Sequence, residues 1–401
     1  MVSQGLRRMK GVTAACLAVA LASALAASAG RSASAPPLIK IGAVFSTIGS
    51  GDVFGPQQIK GAQLAVSQIN AAGGVDGSML RLVEQNDDSD PASGAVAMGT
   101  LIQHDGVVAV IGPTLSQVAF KADPVANTLK TPVLGVSNTA SGLVGKCSFS
   151  CTWSWRDSLG EAIAVPADVA AYAFDAHPST AAIVYASGDL LGMQEAQLAK
   201  TSFPQNGVRV VANVALPATG SIAAGVARAL AARPQVLFVG TVSGPTAVAV
   251  IKAARAAGYS GVFLGGNTLN SDATATLAGR AGAGARSASA WYRGNDFPAN
   301  SAFVTAYRQT YGAEPDQFAT QAYVGVQIIA DALQRAGIAK SHAPIAAQRA
   351  LLQRALPNVT LLTPLGPFRF TSDHDVSQIV WVLAMDGHGG HALAGFCDPG
   401  C

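Results

Sequence analysis

Three short turns carry the side chains best suited to chemistry: Gly49-Ser50-Gly51-Asp52-Val53-Phe54-Gly55, Gly112-Pro113-Thr114-Leu115-Ser116 and Gly135-Val136-Ser137-Asn138-Thr139. The second opens a helical pattern at Ser116, where free backbone N–H groups and the helix dipole favour an anion. The hydroxyls of Ser116, Ser137 and Thr139 can donate to carboxylate oxygens without adding charge. Singly, each hydroxyl also fits a helix cap or a turn. Three such turns together point to recognition of a small anion. Bond-breaking chemistry has less support, since no G-x-S-x-G nucleophile elbow is present and no nucleophile–base–orienter set can be assembled. Asp373-His374-Asp375 falls between two strand patterns and reads as a solvated turn.

Other chemistries are weaker still. The first turn has the spacing G-x-G-x-x-x-G, with Phe54 where a dinucleotide fingerprint needs its third glycine. Asp87, Asp88 and Asp90 precede Pro91 and read as a turn and helix start, since the further oxygen ligands of a calcium loop are missing. His388, His391, Cys397 and Cys401 offer metal-ligand types, but the glycines among them read as a turn following a strand. No metal or cofactor is expected.

The elements that position these turns follow from periodicity. Strand patterns at 38–45, 79–83, 107–111 and 131–136 alternate with helical patterns, the first carrying Ile59, Ala62, Ala65, Val66 and Ile69 at a period of three to four. A second series follows: helices over 159–175, 189–203, 221–232 and 245–257 alternate with strands over 181–185, 209–215, 235–239 and 261–264. Helices over 299–311, 317–336 and 343–355 and strands over 367–370 and 378–384 complete the chain. Strand and helix in regular alternation define an α/β fold with parallel sheets, here two doubly wound, Rossmann-like lobes. Charged residues make up 12% of the chain, which suits strands covered on both faces. In such sheets ligands sit beyond the carboxyl ends of the strands, where the three turns fall.

Residues 1–35 read as a secretory signal peptide: Arg7, Arg8 and Lys10, an apolar run that includes Cys16, then Ala-Ser-Ala sites ending at Ala29 and Ala35. The run is short and Ala-rich for a membrane span. Removing this segment takes four basic residues and no acids, turning the formal charge of +3 into −1. No basic field remains for nucleic acid or anionic lipid. Export gives Cys147, Cys151, Cys397 and Cys401 a disulfide-forming environment; the two C-x-x-x-C spacings favour local pairs, among three possible connectivities.

The chain resembles the periplasmic leucine/isoleucine/valine-binding proteins, the type I solute receptors of hydrophobic amino-acid ABC importers. The resemblance lies in Ile39-Lys40-Ile41-Gly42-Ala43-Val44, in the helix from Gly61 through Ala71-Ala72-Gly73-Gly74-Val75, in Asp87-Asp88-Ser89-Asp90-Pro91, in Ala253-Ala254-Arg255-Ala256-Ala257-Gly258 and in the segment 318–323. It implies a signal peptide over 1–35, one lobe of 36–156 plus 296–371 and a second of 157–295 plus 372–401. Three chain crossings near 156, 295 and 372 would form the hinge, with Arg156 and Asp157 as an ion pair. It implies a ligand carboxylate held at Ser116, Ser137 and Thr139 with Asn138 between them, beside Phe54 and Leu115, with Ser243 and Phe318 as peripheral walls. Leu191 falls where amino-acid binders often carry tyrosine, and Asn267 where they often carry an acid that pairs with the ligand's ammonium. Asp189 or Asp296 would have to substitute for that acid, or the ligand lacks an amine. The implied function is capture by a monomeric, non-enzymatic periplasmic receptor that delivers its ligand to an ABC permease. A sensory receptor of the same fold and a secreted hydrolase are the alternatives.

Overall fold

Runs of Val, Ile and Ala bounded by glycine turns become the inner strands of two parallel sheets. The computed structural model describes residues 38–147 and 149–397. The expected signal segment and Cys401 lie outside the described residues. The first sheet contains β1 (Leu38–Phe45), β2 (Met79–Asn86), β3 (Ala109–Ile111), β4 (Val133–Gly135) and β5 (Ser154–Arg156), in the order β2-β1-β3-β4-β5 and parallel throughout. Helices α1 (Gly55–Ala71), α2 (Pro91–Gly99) and α3 (Ser116–Thr128) connect its strands. Asp90 caps α2 by accepting from Ser93 N at 2.8 Å, so the acidic turn is a helix start.

The second series runs through α4 (Glu161–Ala176), β6 (Thr180–Ala186), α5 (Leu190–Gln205), β7 (Arg209–Leu216), α6 (Ile222–Leu230), β8 (Val236–Gly240), α7 (Gly244–Ala256), β9 (Val262–Gly265), α8 (Asp272–Ala278) and β10 (Arg286–Ser289). Its parallel part is ordered β7-β6-β8-β9-β10, the same winding as the first sheet counted from its own first strand. The chain then returns to the first sheet with α9 (Pro298–Tyr311), α10 (Gln317–Arg335) and α11 (Ile345–Ala355), followed by the hairpin β11 (Thr360–Thr363) and β12 (Gly366–Arg369). It passes back to add β13 (Val380–Met385) and β14 (His391–Cys397) antiparallel to the second sheet. The chain thus crosses between the sheets at 157–160, 290–297 and 370–379.

One apolar core joins β1, β3 and β4 to α1 and α10, with Phe303 and Tyr307 of α9. Helices α1 and α10 cross so closely that a Cβ on Gly61 would lie 1.9 Å from the Ala319 carbonyl oxygen. Separate cores cover the two faces of the second sheet. Strands β5, β10, β11 and β14 and helix α8 have no counterpart in the sequence patterns. Ser154-Trp155-Arg156 and Arg286-Ser287-Ala288-Ser289 are too polar or too short to read as strands, yet each is buried by its neighbours.

The crossings correct two expectations. Arg156 pairs with Asp375, its Nε donating to Oδ1 at 3.0 Å, and not with Asp157. Asp157 is buried with neither carboxylate oxygen partnered, and burial raises its pKa well above the ordinary range. The turn at Asp373-His374-Asp375 does more than meet solvent. His374 stacks on Trp155 with centroids 3.7 Å apart, so two crossing segments pack on each other. Cys147 and Cys151 form a disulfide, one of the two local pairs; the other involves Cys401, outside the described residues.

Candidate functional site

Each turn is held in place by its neighbours. Thr114 Oγ1 donates to Gln58 Oε1 at 2.6 Å and accepts from Ser46 N at 2.9 Å, tying the turn after β3 to α1 and to the end of β1. Gln58 Nε2 donates to Ser137 Oγ at 2.7 Å, and Ser137 Oγ donates to Thr114 O at 2.7 Å. Asn138 Nδ2 donates to Pro113 O at 3.0 Å. Ser116 is already inside α3 and does not cap it; its Oγ accepts from Ala140 N at 3.2 Å. The turns after β3 and β4 are therefore one hydrogen-bonded unit. Buried Gln58, absent from the sequence reading, and Thr114, named there only as part of its turn, are its braces.

Apolar side chains close over this unit. Phe54 packs on Phe318 with ring centroids 4.5 Å apart and ring planes tilted by 42°. Both share a cluster with Leu115 from the first lobe and, from the second, with Leu191 in the first turn of α5 and Val242 in the loop after β8. The second sheet thus presents its own strand ends to the first. Asn267, just after β9, is buried, and its Nδ2 donates to Ser137 O at 3.4 Å. Gln317 Nε2 donates to Asn267 Oδ1 at 2.6 Å, and Gln317 Oε1 accepts from Ala290 N at 2.8 Å. Ser141 N donates to Gln194 Oε1 at 3.1 Å, and Ser271 Oγ donates to Val53 O at 3.4 Å. The two rims touch, which makes this a closed arrangement.

Ser243 lies away from that centre. It caps α7, accepting from Thr246 N at 3.3 Å, and lines a cavity of about 330 Å³ with Ser50, Gln117, Asp189 and Thr241. Asp189 caps α5 by accepting from Gly192 N at 3.1 Å, while its second oxygen accepts from Val242 N. Asp296 is exposed.

The strongest feature missed from the sequence is a pair of buried acids. Glu161, the first residue of α4, accepts at Oε1 from Thr139 Oγ1 at 3.1 Å and from Asn267 N at 3.0 Å. It therefore bridges the two rims. Burial pushes its pKa up to about 7 against the opposing pull of those two donors and Arg156. Glu195 is fully buried, and burial, aided by the charges of Glu161 and Asp189, raises its pKa well above the usual carboxylate range. A sequence signal existed: Glu195 stands four residues after Leu191, on the same face of α5.

Two sheets of one winding, facing each other by their strand ends across a cleft and linked by three crossings, define a two-lobed binding protein. The chain belongs to the periplasmic binding protein family, whose pattern it matches over residues 38–390. It is a binding protein of an extracytoplasmic family and not an enzyme. Leu/Ile/Val-binding protein homolog 1 of Brucella abortus (strain 2308) is 28% identical over 328 residues, covering 80% of this chain and 83% of that protein. The Leu/Ile/Val-binding protein of Escherichia coli (strain K12) is 36% identical over 87 residues, covering 22% of this chain and 23% of its own. Among solved structures, the leucine-binding protein LivK of Thermotoga maritima superposes with a TM-score of 0.80 at 19% identity, covering 90% of this chain and 99% of that one. A solute-binding protein of an R. palustris ABC transporter, solved with benzoate, gives 0.79 at 21% identity, covering 90% and 97%.

Proposed function

We propose that this protein captures a small carboxylate-bearing solute outside the cytoplasm and hands it to an ABC permease, working as a monomer after removal of a signal peptide over 1–35. Lobes of 36–156 plus 296–371 and 157–295 plus 372–401 close about the three crossings. The ligand carboxylate meets Ser116, Ser137, Asn138 and Thr139. Phe54, Leu115 and Phe318 line its apolar side, and Leu191, Asn267 and Ser243 come from the opposite rim. The observation that carries this reading is the hydrogen-bonded unit of two turns at the strand ends, facing Leu191 and Asn267 across the closed cleft. Relatives and structural neighbours named for branched-chain amino acids, or solved with benzoate, favour an amino acid or an aromatic acid.

The test is a thermal-shift screen with branched-chain amino acids, aromatic acids, short aliphatic acids and amides. A ligand at about 100 times its dissociation constant stabilises the fold by roughly 2.7 kcal/mol. Replacing Ser116 and Thr139 with alanine is expected to abolish the shift. A response confined to amines that lack a carboxylate would overturn the polarity of the site.

A further inference from the structure

The site described so far leaves the Cys147–Cys151 disulfide without a task. Its cysteines are four residues apart, and closing so short a loop constrains the unfolded chain less than closing a long one. The main effect is local, and what lies beside it is the hinge. The Cys151 end is anchored to the first lobe. Cys151 O accepts from Ser154 N at 3.0 Å, Trp153 O accepts from Val133 N at 2.9 Å, and Trp153 N donates to Asn127 Oδ1 at 2.8 Å. Gln353 of α11 adds a bond from its Nε2 to Thr152 O at 2.6 Å. The Cys147 end carries Gly145, which lies against the third crossing: a Cβ there would stand 3.3 Å from Asp373 Cβ. Gly145, Cys151 and Thr152 line a cavity of about 140 Å³ together with Ser372, Asp373 and His374. The disulfide joins the anchored end to the end that touches the crossing.

The same turn of the crossing is seated on β5, the strand into which Cys151 leads. Arg156 N donates to His374 O at 3.0 Å, and His374 Nδ1 donates to Ser154 O at 3.0 Å. The His374 ring stacks on Trp155, and Asp375 pairs with Arg156. The disulfide loop and β5 thus grip one turn, 371–375, of a segment that joins the two sheets. Both cysteines are partly exposed, among exposed Lys146, Ser150 and Thr152, which leaves the sulfurs within reach of a thiolate from solvent.

Resting on the reading of 370–379 as one strap of a closing hinge, we propose that Cys147–Cys151 is a site of thiol–disulfide exchange with a dithiol reductant, and that the intact bond is a clamp whose opening frees the third crossing and lets the cleft open. In the exchange, a thiolate of the dithiol attacks one sulfur of the pair. The S–S bond breaks, and its electron pair leaves on the other cysteine, which takes up a proton. The second sulfur of the dithiol then attacks the mixed disulfide and releases the first cysteine, which is protonated in turn. Two electrons and two protons have passed to the cysteine pair, and the reductant has become a disulfide.

The experiment is hydrogen exchange of the full chain, read peptide by peptide, with small-angle scattering alongside. Three samples are compared: the oxidised chain, the same chain treated with dithiothreitol, and Cys147→Ser combined with Cys151→Ser. The double variant leaves Cys397 in place and so isolates this pair, and its melting curve reports its folding. Alkylation before unfolding is expected to label Cys147 and Cys151 only after dithiothreitol. In the reduced chain and in the variant, exchange over 154–157 and 371–376 is expected to rise at least ~10-fold while β8 stays within about twofold, as for a local opening. Both are also expected to scatter as a more extended particle. Failure of dithiothreitol to release the two thiols from the folded chain overturns the exchange site. Unchanged exchange at 371–376, or an equal rise in β8, overturns the clamp, and a local rise with unchanged scattering overturns its control of the cleft. None of these readouts uses a ligand, so their failure leaves carboxylate capture standing, whereas a ligand screen without a carboxylate hit fails that capture and leaves the clamp to be judged on exchange.

Discussion

Gln317 offers the most direct test of closure, because one side chain ties three parts of the molecule. It sits at the start of α10, 3% exposed. Its Nε2 donates to Asn267 Oδ1 across the cleft at 2.6 Å, and its Oε1 accepts from Ala290 N at 2.8 Å and from Ser289 Oγ in the second crossing. Gln317→Ala removes the bond to Asn267, worth about 1 kcal/mol net. It also leaves the Ala290 N–H buried without an acceptor, at about 1–2 kcal/mol. Opening the cleft lets water reach both orphaned groups, so the loss falls on the closed form. A penalty of about 2–3 kcal/mol weakens ligand binding by about 30- to 150-fold. The assay is titration calorimetry with the best ligand from the screen, with small-angle scattering of the ligand-free protein alongside. The variant is expected to scatter as a more extended particle than its parent, with its fold intact. An affinity within about twofold of the parent, far inside the predicted loss, with an unchanged scattering profile, would refute the argument that closure runs through this bond.

Two further outcomes follow from packing and protonation. Gly61→Ala drives a methyl group into the backbone of α10 at Ala319, where no rotamer can yield, and is expected to lower the urea midpoint by a loss of about 1–3 kcal/mol or more. Gly99→Ala, with its nearest neighbour 3.9 Å away and a helical setting, is expected to be neutral or to gain up to about 1 kcal/mol. Burial pushes Asp168 and Asp316 up to about 7, against the charges of Arg286 and Arg293 respectively. Their folded forms favour the proton, so the stability they contribute is complete below the ordinary carboxylate range near 4. It is lost as pH rises through about 7, at about 1.4 kcal/mol per pH unit for each group. The ligand-free protein is therefore expected to melt at a higher temperature at pH 5 than at pH 8, with a flatter dependence in Asp168→Asn; a melting temperature that climbs steadily over that range would contradict the assignment.

Much of the architecture was legible because the signals were local. The alternation of apolar runs with amphipathic helices appears directly in β1, α1, β6 and α5, and the glycine turns after β1, β3 and β4 lie where the chain needs a tight change of direction. What stayed hidden depends on neighbours distant in sequence. Arg286-Ser287-Ala288-Ser289 is polar as a segment, and becomes a buried strand because β9 and β13 flank it. Arg156 finds its partner 219 residues away. Gln58 and Thr114 read as ordinary helix and turn residues until their side chains are seen to join two turns. Glu161 opens a helix, a position that favours an acid and is commonly solvent-exposed, and only the closed cleft shows it buried.

The contacts across the cleft are of a kind that can be exchanged for water. Asn267 with Ser137 O and Ser271 with Val53 O are single hydrogen bonds onto main-chain groups, and Gln194 makes two with Ser141 N and O; each is worth about 1 kcal/mol net because opening replaces it with a bond to water. The apolar part joins Phe54, Leu115 and Phe318 to Leu191 and Val242, a small patch beside the cores within each lobe. Against these stands the desolvation of Glu161, whose carboxylate meets Thr139 of the opposite rim. Burial in the closed cleft raises the pKa of Glu161 to about 7, so its ionisation disfavours closure as pH rises through that value. A ligand shifts that balance only by what it contributes to the closed form beyond the open one. A molecule that binds the closed form better than the open one makes the closed form dominant in proportion to that difference.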